Sequence, residues 1–192
     1  MAAFLQQLLL LLAAAAVLAG RCGGPPSPPA AHHIRGVPLA EVREDWCGPA
    51  ALAAVLQFHG EKVAAADIAA DIMLPGYHGS LNLDLLLWAR KHGMDVWAEN
   101  ATEAKLKRAV AGDRPVICLV RRRGRIADRN HFVIVRGYDD NRRTWLVDDG
   151  GGEERARPMD AFDSDWAALG RWMMVVEGRK PAPPPAGDHA GP

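Results

Sequence analysis

The chain has 192 residues, 49% hydrophobic and 24% charged, which suits one globular domain and leaves too little for two once its unusual ends are set aside. Lys plus Arg and Asp plus Glu stand at 23 each, so the basic excess of a nucleic-acid binder is absent, and there is no acidic tail. Three cysteines are too few for a disulfide-stapled scaffold.

Residues 1–19 form an apolar run ending in small residues, with Val17-Leu18-Ala19 at the position of a cleavage site. This reads as a signal peptide or membrane anchor, and it predicts export to the periplasm or cell envelope, with membrane association through this segment. Cys22 follows Arg21 where a lipidation motif needs a small residue, which argues against a lipid anchor. Residues 20–33 read as a Pro/Gly-rich tether, 34–179 as the folded unit and 180–192 as a disordered tail, since GGPPSPPAA and PAPPPAGDHAGP offer little apolar surface to bury.

CGPAALAAVLQFHG predicts a helix from Cys47, with Pro49 in the first turn, where its missing N–H removes an orphan donor, and Gly60 past the end. VAAADIAADIM predicts a second helix and SLNLDLLLWARKHG a third, with Ser80 as its N-cap and Gly93 beyond it. MDVWAE is strand-like, TEAKLKRAVAG helical, and PVICLVR a fully buried strand containing Cys118. The run RRRGR at 121–125 is read as a solvated loop in preference to a basic lip for an acidic peptide or lipid headgroup. HFVIVRGY and TWLVDD flank the turn DDNRR as an antiparallel hairpin, and a short helix over PMDAFDSDWAAL and a strand over RWMMVVE close the pattern. Helices come first and strands mostly later, so the expected class is α+β, with an N-terminal helical part packed on an antiparallel sheet.

The chemistry starts at Cys47. A helix N-terminus favours a thiolate through its unpaired N–H groups, but the dipole contributes only about 0.3–1 kcal/mol, so a second activating group is needed. A histidine is the usual one. Of the seven histidines, His32 and His33 fall in the tether, His189 in the tail, and His59 and His92 near helix ends; His78 lies in a loop that could line a cleft. His131 opens the strand HFVIVRGY, from whose edge an imidazole can reach a facing helix terminus. The hairpin returns Asp148 and Asp149 alongside it, and a carboxylate there orients the ring and stabilises the imidazolium. Cys47 and Cys118 remain open to pairing. No His/Cys cluster has ligand spacing, so neither a metal nor an organic cofactor is expected.

DWCGPAALAAVL, followed by NHFVIVRGYDD and WLVDDGG, resembles the papain-like family of bacteriocin-processing, double-glycine leader cysteine peptidases. The stretches GSLNLDLLLWARKHG, GDRPVICLV and DAFDSDW with WMMVV resemble its stand-alone, exported branch. The resemblance implies a papain-like fold, Cys47 as nucleophile, His131 as general base and one of Asp148 and Asp149 as the acid. Asp149 is preferred because it precedes Gly150. It also implies an oxyanion site made of the Cys47 backbone N–H and a glutamine five or six residues earlier, where this chain has Glu41 and Val42, neither a donor at neutral pH. The fused members carry membrane and ATP-binding domains, and this sequence has no phosphate-binding G-x-x-x-x-G-K-[ST] loop. The expected function is therefore an exported thiol peptidase acting as a monomer on a peptide or protein. The competing reading is a catalytically weak or inactive peptide-binding module of the same fold, in an export or envelope assembly.

Overall fold

The computed structural model describes residues 27–40, 45–73, 76, 79–124 and 127–180. The expected signal or anchor over 1–19, Glu41, Val42, His78 and the tail from 181 lie outside the described residues. Within them the chain runs β1 (Ala31–His33), α1 (Cys47–Phe58), α2 (Ala65–Ile72), α3 (Asn82–Lys91), β2 (Met94–Asn100), α4 (Glu103–Ala111), β3 (Val116–Arg122), β4 (Arg129–Asp139), β5 (Thr144–Asp148), β6 (Glu154–Pro158), α5 (Met159–Ala167) and β7 (Trp172–Arg179). The strands form one antiparallel sheet in the order β2-β7-β3-β4-β5-β6. β1 pairs with the far end of β4, Ala31 opposite Asp139, beyond the stretch that β3 occupies.

α1 is the axis of the helical half. Gly48 through Leu56 are all buried, and a helix apolar on every side must be enclosed on every side. It packs on α2, α3, β4 and β7, and the alanines at 50, 51, 53 and 54 allow the close approach. The far side of the core is aromatic: Trp145 lies against Tyr138 and Phe162, with ring centres 5.8 and 5.9 Å apart, and Phe162 against Trp166. Edge-to-face and tilted rings at such distances add about 0.5–1.5 kcal/mol each beyond their burial.

Two expectations shift. Ala31–His33, placed in the tether by their Pro-rich surroundings, are strand β1, and the ordered path extends from Pro29 to Ala40 along β4. Tyr138 Oη donates to the Pro29 carbonyl at 2.8 Å, Asp140 N to Ala30 O at 2.8 Å and Ile34 N to Arg136 O at 2.8 Å. Arg136 stands where the β4–β5 register slips; such a bulge re-aims a side chain, and here its guanidinium donates to Val37 O at 2.8 Å and pairs with Glu154 at 3.0 Å. Ser80 is not the cap of α3. Leu81 takes that position without a side-chain bond, while the Ser80 hydroxyl is buried and has no partner among the described residues.

This N-terminal strap, residues 29–40, ends on a buried carboxylate. Asp148, 1% exposed, accepts Ala40 N–H at 2.7 Å through one oxygen and Gly150 N–H at 2.9 Å through the other. Asp148→Asn keeps the shape but turns an NH2 group toward one of those donors. It should lower unfolding stability by about 1–3 kcal/mol, seen as a reduced urea midpoint at unchanged m-value; an unchanged midpoint would show that the strap is held without it.

Candidate active site

The chain enters α1 through Asp45, whose φ of 68° is left-handed, a conformation Asp tolerates better than most residues. Trp46 is the N-cap, and its carbonyl takes Ala50 N–H at 2.9 Å. Of the first-turn donors left without helical partners, Pro49 has none to give, so Cys47 and Gly48 hold the free N–H groups. Both favour a thiolate at Cys47, as does the main-chain N–H of Phe132 from β4.

These donors favour the thiolate, but burial outweighs them and, with the Asp45 charge, pushes the Cys47 thiol above its usual value of 9.0. The sequence predicts the opposite net direction. The physical reason is magnitude: a helix terminus offers about 0.3–1 kcal/mol, whereas taking a thiolate out of water costs more. Cys118, in β3, is fully buried and pushed up further by the same cause. Both cysteines are free thiols, so they do not pair.

His131 is 8% exposed. Its Nε2 lies 2.8 Å from the main-chain carbonyl of Asp149. A carbonyl only accepts, so Nε2 carries the hydrogen and Nδ1 keeps the lone pair. Burial holds the ring below its usual 6.5; the Asp149 carbonyl and carboxylate oppose this, while Arg122 and Arg157 add to it. At neutral pH the site therefore rests as a protonated thiol and a neutral imidazole.

The two aspartates are placed differently. Asp148 is turned into the core and is bonded to the backbone at Ala40 and Gly150. Asp149 reaches His131, but through its carbonyl; its carboxylate accepts Gly151 N–H at 3.1 Å and lies 3.6 Å from Arg155. The anticipated carboxylate–imidazole bond is thus replaced by a main-chain one.

Cys47, Ser80, His131, Phe132, Asp149 and Gly150 line one open groove of about 1080 Å³. Gly48 was not singled out by the sequence reading, yet it sets the fit at this point. A Cβ there would collide with the Ser80 hydroxyl and stand 3.1 Å from Leu85 and 3.2 Å from Phe132. Among the described residues no group of three or more His, Cys, Asp or Glu side chains could hold a metal ion. The RRRGR run is more than a solvated loop, since Arg121 and Arg123 bond the buried Asp165 at 3.4 and 3.3 Å.

The model of the Peptidase_C39 like family matches residues 31–174. The chain belongs to this family. No curated protein matches the sequence, but solved C39 structures share its architecture. A C39-like protein from Bacillus anthracis superposes with a TM-score of 0.61 at 17% identity, over 79% of this chain and 99% of that one. The peptidase domain of Streptococcus ComA, a bifunctional ABC transporter of quorum sensing, gives 0.59 at 18%, over 75% and 100%. A double-glycine-motif protease from an AMS/PCAT transporter, in complex with its leader peptide, gives 0.58 at 22%, over 76% and 93%. At these identities the likeness is one of fold, the papain-like α+β arrangement of the C39 peptidases.

In this C39-like chain, Gly48→Ala should cost about 1–3 kcal/mol by overpacking, measured by urea unfolding. Ser80→Ala alone should be near neutral or stabilising, because it removes an unpartnered hydroxyl. The double substitution should recover part of the Gly48→Ala loss, a coupling of about 0.5–3 kcal/mol; strict additivity would mean that the two residues do not meet.

Proposed function

We propose that the chain is a thiol peptidase in which Cys47 attacks a peptide carbonyl and His131 is the general base. The observation that carries this reading is that Cys47, opening α1, and His131, on β4, line one groove, with the Phe132 main chain favouring a thiolate there. Phe132 follows His131 directly, so one strand start offers the nucleophile both a stabilising donor and, within the same groove, a basic ring nitrogen. The solved C39 protease bound to a leader peptide supports a peptide as the substrate.

In the first step Nδ1 of His131 takes the thiol proton as the sulfur–carbon bond forms, and the carbonyl becomes an oxyanion that accepts the Cys47 main-chain N–H. The imidazolium then protonates the departing amine, and the carbon–nitrogen bond breaks to leave a thioester. Water, deprotonated by the same nitrogen, attacks the thioester; collapse releases the acid and returns the proton to sulfur. The Asp149 carbonyl holds Nε2–H throughout and so keeps Nδ1 aimed as a base. Its carboxylate favours the imidazolium from a distance. Because both partners rest uncharged, the thiolate forms only as attack proceeds.

The binding-module reading is favoured by that raised thiol and by Glu41 and Val42 in place of the donor glutamine. The export read from residues 1–19 extends the proposal to substrates of the cell envelope.

The deciding experiment is labelling of Cys47 by a mild electrophile at neutral pH, located by mass spectrometry. In a peptidase, His131→Ala should slow it strongly and lower peptide hydrolysis by about 100- to 10,000-fold. Labelling that ignores His131, with no hydrolysis, would leave a binding module. Activity should persist below pH 6.5, because the working form is the neutral ring and its proton affinity is depressed, and it should fall as further acid protonates Nδ1. Asp149→Asn preserves the carbonyl and should cost less than about tenfold; a loss near 10,000-fold, as for a triad carboxylate, would mean that the side chain turns onto the ring during catalysis.

A further inference from the structure

His131 stands between two cavities. One is the groove shared with Cys47; the other, about 340 Å³, is floored by Val120, Val133 and Val147. Its wall is built by Arg121, Arg122 and Arg123 at the end of β3 and by Arg155 and Arg157 on β6, five guanidiniums against the two carboxylates Asp149 and Asp165. Asp165, 7% exposed, already takes Arg157 at 2.5 Å, Arg121 at 3.4 Å and Arg123 at 3.3 Å. Those three hold the wall together. Arg155 pairs with Glu153 at 3.0 Å and lies 3.6 Å from Asp149, so the uncommitted charge is that of Arg122, which makes no ion pair among the described residues and is felt at His131.

Positive charge left over along a concave, apolar-floored pocket attracts an anion, and planar guanidiniums are matched to carboxylates. Arg122 and Arg155 line both this pocket and the groove, so an anion bound there lies next to the peptide path. The volume admits one side chain or a chain end and excludes a folded element.

We propose that the arginine pocket beside His131 is a subsite for a carboxylate of the bound peptide, gripped by Arg122 and Arg155. The identity of the ligand rests on the peptidase reading, but the subsite itself is testable without turnover. The carboxylate has two sources, an acidic side chain within the peptide or a C-terminal carboxylate. Through either one the pocket selects which peptides lie in the groove.

The test uses the full chain with Cys47→Ala, titrated by NMR at the arginine Nε–H and His131 ring signals. The probes are N-acetylglutamate methylamide, whose carboxylate is on the side chain, N-acetylalanine, whose carboxylate is terminal, and N-acetylglutamine methylamide, which has none. A saturable shift is expected with a carboxylate probe and not with the neutral one, and the probe that saturates names the source. Arg122→Gln with Arg155→Gln, both exposed positions, should weaken binding by about tenfold or more without loss of thermal stability. Saturation by no probe, equal binding of the neutral probe, or indifference to the double substitution overturns the subsite. Failure of hydrolysis with intact carboxylate binding would instead overturn the peptidase reading and leave the pocket standing.

Discussion

The approach of α1 to β4 at Gly48 is the constraint on which the rest of the site depends. A Cβ on residue 48 would stand 3.2 Å from the Phe132 ring and collide with the Ser80 hydroxyl, so a residue without a side chain lets helix, ring and serine close up here without displacement. That closeness brings the Phe132 N–H to the sulfur and, one residue earlier on the strand, carries His131 to the same groove. Pro49 completes the arrangement by withholding a donor, so the free N–H groups of the first turn belong to Cys47 and Gly48. The sequence DWCGPAAL thus combines a thiol, a residue thin enough for strand contact and a residue with no competing N–H.

The same closeness has an electrostatic consequence. A helix pressed onto a sheet buries its first residue, and burial penalises charge on both partners. The thiol moves up and the imidazole moves down, so the pair rests neutral despite three donors at the sulfur. Packing that positions the nucleophile therefore also keeps it protonated, and its activation falls to the ring nitrogen that the Asp149 carbonyl leaves with a lone pair.

Much of this was legible in the sequence, because the signals were local. The Gly-Pro step and the apolar run fix the start of α1; the uninterrupted VICLV and FVIV runs mark central strands; Cys47 and His131 each sit at the end of such an element. What stayed hidden depends on distant pairing. Ala31–His33 follow a Pro-rich stretch and form a strand only because the end of β4 extends past β3 and leaves an edge to be paired. β6, ERARP, is polar and ends in proline, and it exists as an edge strand by pairing with β5. Gly48 resembled a helix-start residue and nothing more, since its tight neighbours Ser80, Leu85 and Phe132 lie far along the chain. The arginine run resembled a solvated loop because Asp165, the acid that organises it, stands on α5.

The neighbouring aspartates show why residue type alone could not assign their parts. Successive residues at a strand end point in opposite directions, so Asp148 and Asp149 cannot both present a carboxylate to one ring. Asp148 turns inward, where its two oxygens bind Ala40 and Gly150. This fixes the end of the N-terminal strap and the turn that follows β5. Fixing that turn fixes the peptide unit between the two aspartates and Gly150, and the carbonyl of Asp149 is thereby aimed at His131. The inward carboxylate consequently acts on the imidazole by positioning its neighbour's backbone, and the outward one is left beside Arg155 at the rim.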